Sequence, residues 1–259
     1  MGRLSGKVAV ITGASTGIGP VMAALFVREG ARVLLAARRE ELVKESAAAA
    51  GDGAIAMRAD VTDEQDVAAM IDRAVVEFGR VDVMVNNAAI PGTDMWIWDQ
   101  TLENWNATLT VDVTAAMLCT REVLRPSMLE RGSGVIINVS SGAAYLAVPR
   151  KSHYMTAKAA LVAFSKAVAA EVGPKGIRCN CLVPGSVDTE LWRNWVTRTA
   201  AENNVDYETR RSEVVSSTAL QDISTPEDIS NLALFLASDE SRTITGQAIL
   251  CNAGQYMLG

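Results

Sequence analysis

The sequence predicts an α/β fold: a doubly wound sheet of about seven parallel strands flanked by helices, in a single domain over residues 1–259. Three observations carry that prediction. Short runs of β-branched and aliphatic residues alternate with longer stretches of helical period, which is the pattern of a parallel sheet covered on both faces. A glycine-rich turn separates the first strand-like run from the first helical one. No low-complexity linker or fixed-period repeat divides the chain, and 259 residues are enough to bury one substantial core.

Strand-like runs fall at Val8–Ile11, Arg32–Ala36, Ala54–Arg58, Asp82–Val85, Gly134–Val139, Ile177–Leu182 and Ala248–Cys251. Helical stretches lie between them at about 18–29, 39–50, 63–78, 102–130, 153–173 and 226–237. Two helix starts are explicit. Thr62-Asp63-Glu64-Gln65 and Thr225-Pro226-Glu227-Asp228 read as N-caps, the second with proline at the first helical position.

Composition removes several function classes. A net charge of −6 opposes nucleic acid and anionic membrane as partners. The start of the chain lacks a signal-peptide apolar region before its first strand, and no apolar run nears the ~20 residues of a membrane span. A cytoplasmic protein is expected. Cys119, Cys179, Cys181 and Cys251 are scattered and His153 is the single histidine, so neither a metal centre nor a Cys/His nucleophile pair is expected. The cysteines read as small buried hydrophobes.

The chemistry concentrates at two places. Thr12-Gly13-Ala14-Ser15-Thr16-Gly17-Ile18-Gly19 follows the first strand and opens a helix. Such a turn lets backbone approach a pyrophosphate, which then sits at the positive helix end. The second is Tyr154-Met155-Thr156-Ala157-Lys158, in a stretch free of glycine and proline from Ser152 to Val172. On a helix these two side chains stand at i and i+4 on one face. A free phenol titrates near ~10, and a neighbouring ammonium favours phenolate, which makes the pair a candidate acid/base.

Together with Asp60-Val61, Asn86-Asn87-Ala88-Ala89, Ser140-Ser141, Asn180 and Pro184-Gly185-Ser186-Val187-Asp188-Thr189, these motifs resemble the short-chain dehydrogenase/reductase family over nearly the whole chain. The resemblance implies a Rossmann-type sheet and hydride transfer between a nicotinamide cofactor and an alcohol or carbonyl. Tyr154 would then exchange the proton with the substrate oxygen, Ser141 would hydrogen-bond that oxygen, and Lys158 would favour phenolate and hold the nicotinamide ribose. Ser141 is preferred over Ser140 because it precedes Tyr154 by thirteen positions, the family's spacing. The phosphate loop implies contacts from Gly13, Ser15, Thr16, Gly17, Ile18 and Gly19. Asp60 would meet the adenine, Val61 would bind the cofactor beside it, and Asn87 would line the cleft. Pro184, Gly185 and Val187 would bind the cofactor, with Thr189 at the nicotinamide carboxamide.

NADP(H) is the expected cofactor and NAD(H) the alternate. An acid at the end of the second strand would bind the ribose hydroxyls and repel a 2′-phosphate. Ala37 stands where the family resemblance expects that acid, followed by Arg38, whose fork suits a phosphate.

The sequence departs from the family at Ala89, at Pro20 and, most seriously, at Asp112, where the family carries asparagine. Asp112 is expected to modify proton delivery; a cofactor-binding sensor without turnover is the competing reading. Residues 90–101 and 186–220 match no fixed pattern, and the second is expected to form a substrate lid. Trp96, Trp98, Trp192 and Trp195 lie there and suit a bulky apolar or cyclic alcohol or ketone. His153 is expected at the pocket edge or surface. The apolar circumference of Tyr154–Val172 calls for a partner helix, hence a homo-oligomer, a tetramer by family resemblance.

Overall fold

The computed structural model describes residues 2–257. Seven strands form one parallel sheet: β1 (Val8–Thr12), β2 (Arg32–Ala37), β3 (Ala54–Arg58), β4 (Val83–Asn86), β5 (Gly134–Val139), β6 (Ile177–Pro184) and β7 (Ala248–Cys251). Their spatial order is β3-β2-β1-β4-β5-β6-β7. The order reverses between β1 and β4, so the ligand crevice lies beyond the carboxyl ends of those two strands.

Successive residues of a strand face opposite sides. Ala9, Ile11, Val33, Leu35, Val83 and Val85 enter one apolar core. Val10, Leu34, Met84 and Ile136 enter the other. Both faces are sealed by helices, which is why the strands read as unbroken apolar runs.

The helices α1 (Ile18–Arg28), α2 (Glu40–Ala50) and α3 (Glu64–Phe78) follow the first three strands. Asp63 caps α3 by accepting from the amides of Gln65 and Asp66. From Leu102 to Met128 the chain is continuously helical but not uniformly α. It runs through α4 (Leu102–Leu109), a π turn (Thr110–Thr114), α5 (Ala115–Val123) and a second π turn (Leu124–Met128). A π turn inserts an extra residue and re-aims side chains, often at functional sites. Asp112 sits in the first one.

Next come α6 (Ser152–Val172), α7 (Glu190–Glu202), α8 (Tyr207–Ser216) and α9 (Pro226–Ala237). Thr225 and Asp228 form a complete capping box on α9. The segment without sequence pattern is thus largely helical. α7 and α8 share a small core of Trp192, Val196, Val214 and Ile223, separate from the two sheet cores. On α6, Ala157, Leu161, Val168 and Val172 are buried, while Ala159, Ala163, Ala167 and Ala170 line an exposed face. Among the described residues no helix is long and apolar enough to cross a membrane. Nor do three or more His, Cys, Asp or Glu side chains gather there as metal ligands.

Candidate active site

The glycine turn leaves β1 at the switch point and is held from behind by β4. The Thr12 hydroxyl accepts from the amides of Asn87 and Ala88. The Asn87 amide donates to the carbonyls of Thr12 and Gly13, at 2.9 and 3.2 Å. This packing is close enough that a Cβ on Gly13 would stand 2.7 Å from Ala88 Cα. Gly17 differs. Its φ of +69° favours glycine, and a Cβ there would meet only the Thr189 methyl, at 3.8 Å. The turn is therefore tight on the sheet side and open between Gly17 and Thr189, next to the α1 start at Ile18. A backbone cradle facing a gap at a helix N-terminus fits the pyrophosphate of a dinucleotide.

Asp60 accepts from the backbone and hydroxyl of Thr62. Partial burial pushes its carboxyl up, but those bonds and the nearby Arg38 and Arg58 charges hold it below the usual value. Val61 beside it is buried. Arg38 is exposed and reaches the site through its charge on Asp60. The next residue, which sequence reasoning passed over, makes the direct contact. Arg39 Nη2 donates to Ser15 Oγ at 3.0 Å and to Thr16 Oγ1 at 2.7 Å, so a guanidinium lies against the glycine turn.

At the carboxyl ends of β5 and β6, α6 brings Tyr154 and Lys158 onto one face. Lys158 Nζ lies 5.5 Å from the Tyr154 ring centre, and Lys151 Nζ lies 5.8 Å from it. Ser140 Oγ donates to the Lys158 carbonyl at 2.7 Å, tying the end of β5 to α6. Ser141 caps a single 3-10 turn (Gly142–Ala144), its Oγ accepting from Ala143. Tyr256, from near the chain's end, packs so tightly over Gly142 that any Cβ there would strike its ring. Burial pushes its phenol up to about 12. No sequence signal linked Tyr256 to this corner.

Lys158 is buried, and its Nζ stands 3.0 Å from Asp112 Oδ2, with both side chains almost wholly enclosed. This is an ion pair by distance, off the line of a good hydrogen bond. Asp112 Oδ1 accepts from the Ile90 amide at 2.8 Å, and Lys158 Nζ also donates to the Val139 carbonyl at 3.3 Å. Burial would push the lysine down; the Asp112 charge and the nearby Tyr154 outweigh it, and the net direction is up.

Beyond β6, Gly185 donates to the Cys251 carbonyl, and Val187 bridges Ser224. Thr189 caps α7 by accepting from the Trp192 amide. The four tryptophans separate into two pairs. Trp96 and Trp98 are exposed and stacked, with ring centres 5.1 Å apart. Trp192 is buried in the α7–α8 core, and Trp195 packs beside it under the Arg210 guanidinium. His153, expected at the pocket edge or surface, lies away from solvent. It is fully buried, with Nε2 at 3.1 Å from the Pro91 carbonyl, because the segment after β4 folds down onto α6.

These features have counterparts in known proteins. A family model described as "Enoyl-(Acyl carrier protein) reductase" matches residues 13–255. Momilactone A synthase of Oryza sativa subsp. japonica is 38% identical over 256 residues, covering 97% of this chain and 90% of that protein. Among solved structures, levodione reductase superposes with a TM-score of 0.92 at 27% identity, covering 98% of each chain. NAD+-bound xylitol dehydrogenase gives 0.91 at 27% identity, covering 97% of this chain and 99% of that one. With the glycine cradle at the switch point and the tyrosine–lysine pair beside it, the match makes this chain a member of the short-chain dehydrogenase/reductase family of nicotinamide-dependent oxidoreductases.

Proposed function

We propose that the chain is an NADP(H)-dependent oxidoreductase that interconverts a secondary alcohol and a ketone. The observation that carries the reading is Tyr154 standing 5.5 Å from the Nζ of the buried, Asp112-paired Lys158, in a fold whose first strand ends in the glycine cradle. The bound nicotinamide would supply or accept the hydride. The protein's part is proton transfer and alignment. Tyr154 donates its phenolic proton to the carbonyl oxygen during reduction and takes it back during oxidation. Ser141 hydrogen-bonds the same oxygen and fixes its direction. Lys158, kept as an ammonium by Asp112, offsets negative charge on the phenolate and donates to the nicotinamide ribose. Asn87 and Thr12 keep the phosphate turn rigid, with Asp60 and Val61 at the adenine. Pro184, Gly185, Val187 and Thr189 border the nicotinamide.

For the cofactor's extra phosphate, the absence of an acid at Ala37 is joined by two guanidinium groups. Arg39 is the stronger candidate because it already lies over Ser15 and Thr16 at the start of α2. A charge-assisted hydrogen bond contributes about 1.5–3 kcal/mol, or roughly ten- to a hundredfold in affinity. Arg39→Ala should therefore raise KM for NADPH at least tenfold and leave KM for NADH within about twofold. A wild-type kcat/KM higher with NADH than with NADPH would overturn the preference.

The exposed face of α6, where Ala159, Ala163, Ala167 and Ala170 surround the one long side chain of Lys166, suits a second copy of the chain. Sedimentation velocity should give an oligomer, and a lone species of ~28 kDa, the mass of one domain of this length, would contradict it. Helices α7 and α8 form the lid over the substrate. Of the tryptophans, Trp96 and Trp98 are the pair free to meet a bulky or cyclic ketone, while Trp192 and Trp195 shape that lid from within.

A further inference from the structure

Asp94 lies in the segment between β4 and α4, outside every motif. Its carboxylate is mostly enclosed and divides its two oxygens between two cations from distant parts of the chain. Oδ1 accepts from Lys151 Nζ at 2.6 Å, and Oδ2 accepts from Arg198 Nη2 at 2.7 Å. The side chain of Asp94 is 12% exposed, against 44% for Arg198. Lys151 immediately precedes α6 and stands over the Tyr154 ring, whereas Arg198 belongs to α7. One carboxylate thus joins the segment after β4, the catalytic helix and the lid.

The two sides of this junction are built differently. On the α6 side the contact is fixed several times over. His153 is buried against the Pro91 carbonyl, and Gly92 packs against His153 and Thr108 with no room for a side chain. The Met95 amide donates to the Arg150 carbonyl. On the lid side, α7 and α8 have their own core and do not share that of the sheet. Among the described residues their other polar tie to this region is Arg150 to Glu202, at 3.3 Å between half-exposed groups. Such an exposed pair adds little. An autonomous hairpin held at its free side by one well-enclosed carboxylate is a lid with a latch.

We propose that Asp94 is a positioning residue that latches the α7–α8 lid onto the catalytic helix and thereby sets how firmly the substrate is retained. Burial pushes its carboxyl up, but Lys151 and Arg198 outweigh this and hold it below the usual value of 3.8, so the latch is charged at neutral pH. The kinetic consequence rests on the oxidoreductase reading above; the structural consequence does not.

Two variants test it. Asp94→Asn keeps the shape and removes the charge, and Arg198→Met removes only the lid's partner, at a half-exposed position where misfolding is not a concern. Hydrogen–deuterium exchange of the whole chain should rise at least about threefold across residues 190–216 in both variants and stay unchanged in α3 and the sheet. With whichever ketone of a broad panel turns over best, KM for that ketone should rise about five- to tenfold. Its kcat should stay within about twofold, and KM for NADPH should not move. Unchanged exchange over 190–216 in both variants would overturn the latch, as would an equal rise throughout the chain. Absence of turnover with any ketone would count against the oxidoreductase reading and leave the exchange result to decide the latch.

Discussion

Phenylalanine at Tyr154 should lower kcat by between about a hundredfold and ten-thousandfold, the range expected when a positioned acid/base is removed. The ring is retained, so its packing against the Lys158 and Lys151 ammonium groups, at 5.5 and 5.8 Å, is kept. What disappears is the hydroxyl, and with it the proton. The Ser141 hydroxyl is a poor substitute. It caps the turn at Gly142, where its Oγ accepts from the Ala143 amide. Binding of NADPH should survive, because the phosphate turn and Lys158 are untouched. Steady-state rates with fluorescence titration of the cofactor separate the two effects. Residual turnover above a tenth of wild type would assign the proton to another group.

Removal of the Asp112 charge should have the second-largest effect, and it should fall on stability more than on chemistry. With leucine there, a buried ammonium loses its counter-charge, and breaking such a pair from one side costs about 3–5 kcal/mol. The Ile90 amide also loses its acceptor. Asparagine is milder: it keeps the shape and the acceptor for Ile90, so turnover of Asp112→Asn should remain within about tenfold, or ~1.4 kcal/mol of barrier. The pH dependence has a definite sign. Because the folded-state pKa of Lys158 lies above its usual 10.5, the stabilisation is fully present below that value. It is lost as pH rises through the folded pKa. Denaturant midpoints of wild type and Asp112→Leu should therefore differ most near neutral pH and converge in strong alkali. A gap that widened with alkalinity would mean the pair is not ionised as described. If Asp112→Asn were folded yet as inactive as Tyr154→Phe, the carboxylate itself would belong to the proton path.

The strands were legible because a parallel sheet buried on both faces leaves continuous aliphatic runs; each observed strand lies within two residues of its expected limits. The caps at Asp63 and Thr225 were legible because the side chains that make them are local. α7 and α8 were not. Their apolar residues cover only a small private core, so helical periodicity is weak among Arg, Thr, Asn and Glu. Signals existed in Thr189-Glu190 and Asp206-Tyr207-Glu208, since Thr189 and Asp206 both cap. The π turn carrying Asp112 was also illegible, because composition does not distinguish it from α-helix. The buried ion pair could be anticipated only as a conditional, since Asp112 and Lys158 lie far apart in the chain. Arg39 over Ser15 and Thr16, Asp94 between Lys151 and Arg198, and Tyr256 over Gly142 are contacts of the same kind. Each joins segments that only the folded sheet brings together. The burial of His153 is not readable from the sequence for a related reason: which side of α6 is covered depends on the path of the segment after β4.

The most direct measurement is cofactor oxidation by the wild-type chain against a broad panel of ketones, keto acids and the corresponding alcohols, with NADPH and NADH in parallel. The arrangement of Tyr154, Lys158 and Ser141 predicts turnover of at least one ketone, faster with NADPH and abolished in Tyr154→Phe. Tight NADPH binding without turnover of any compound, followed by a gain of turnover in Asp112→Asn, would contradict it and make the chain a cofactor-binding sensor.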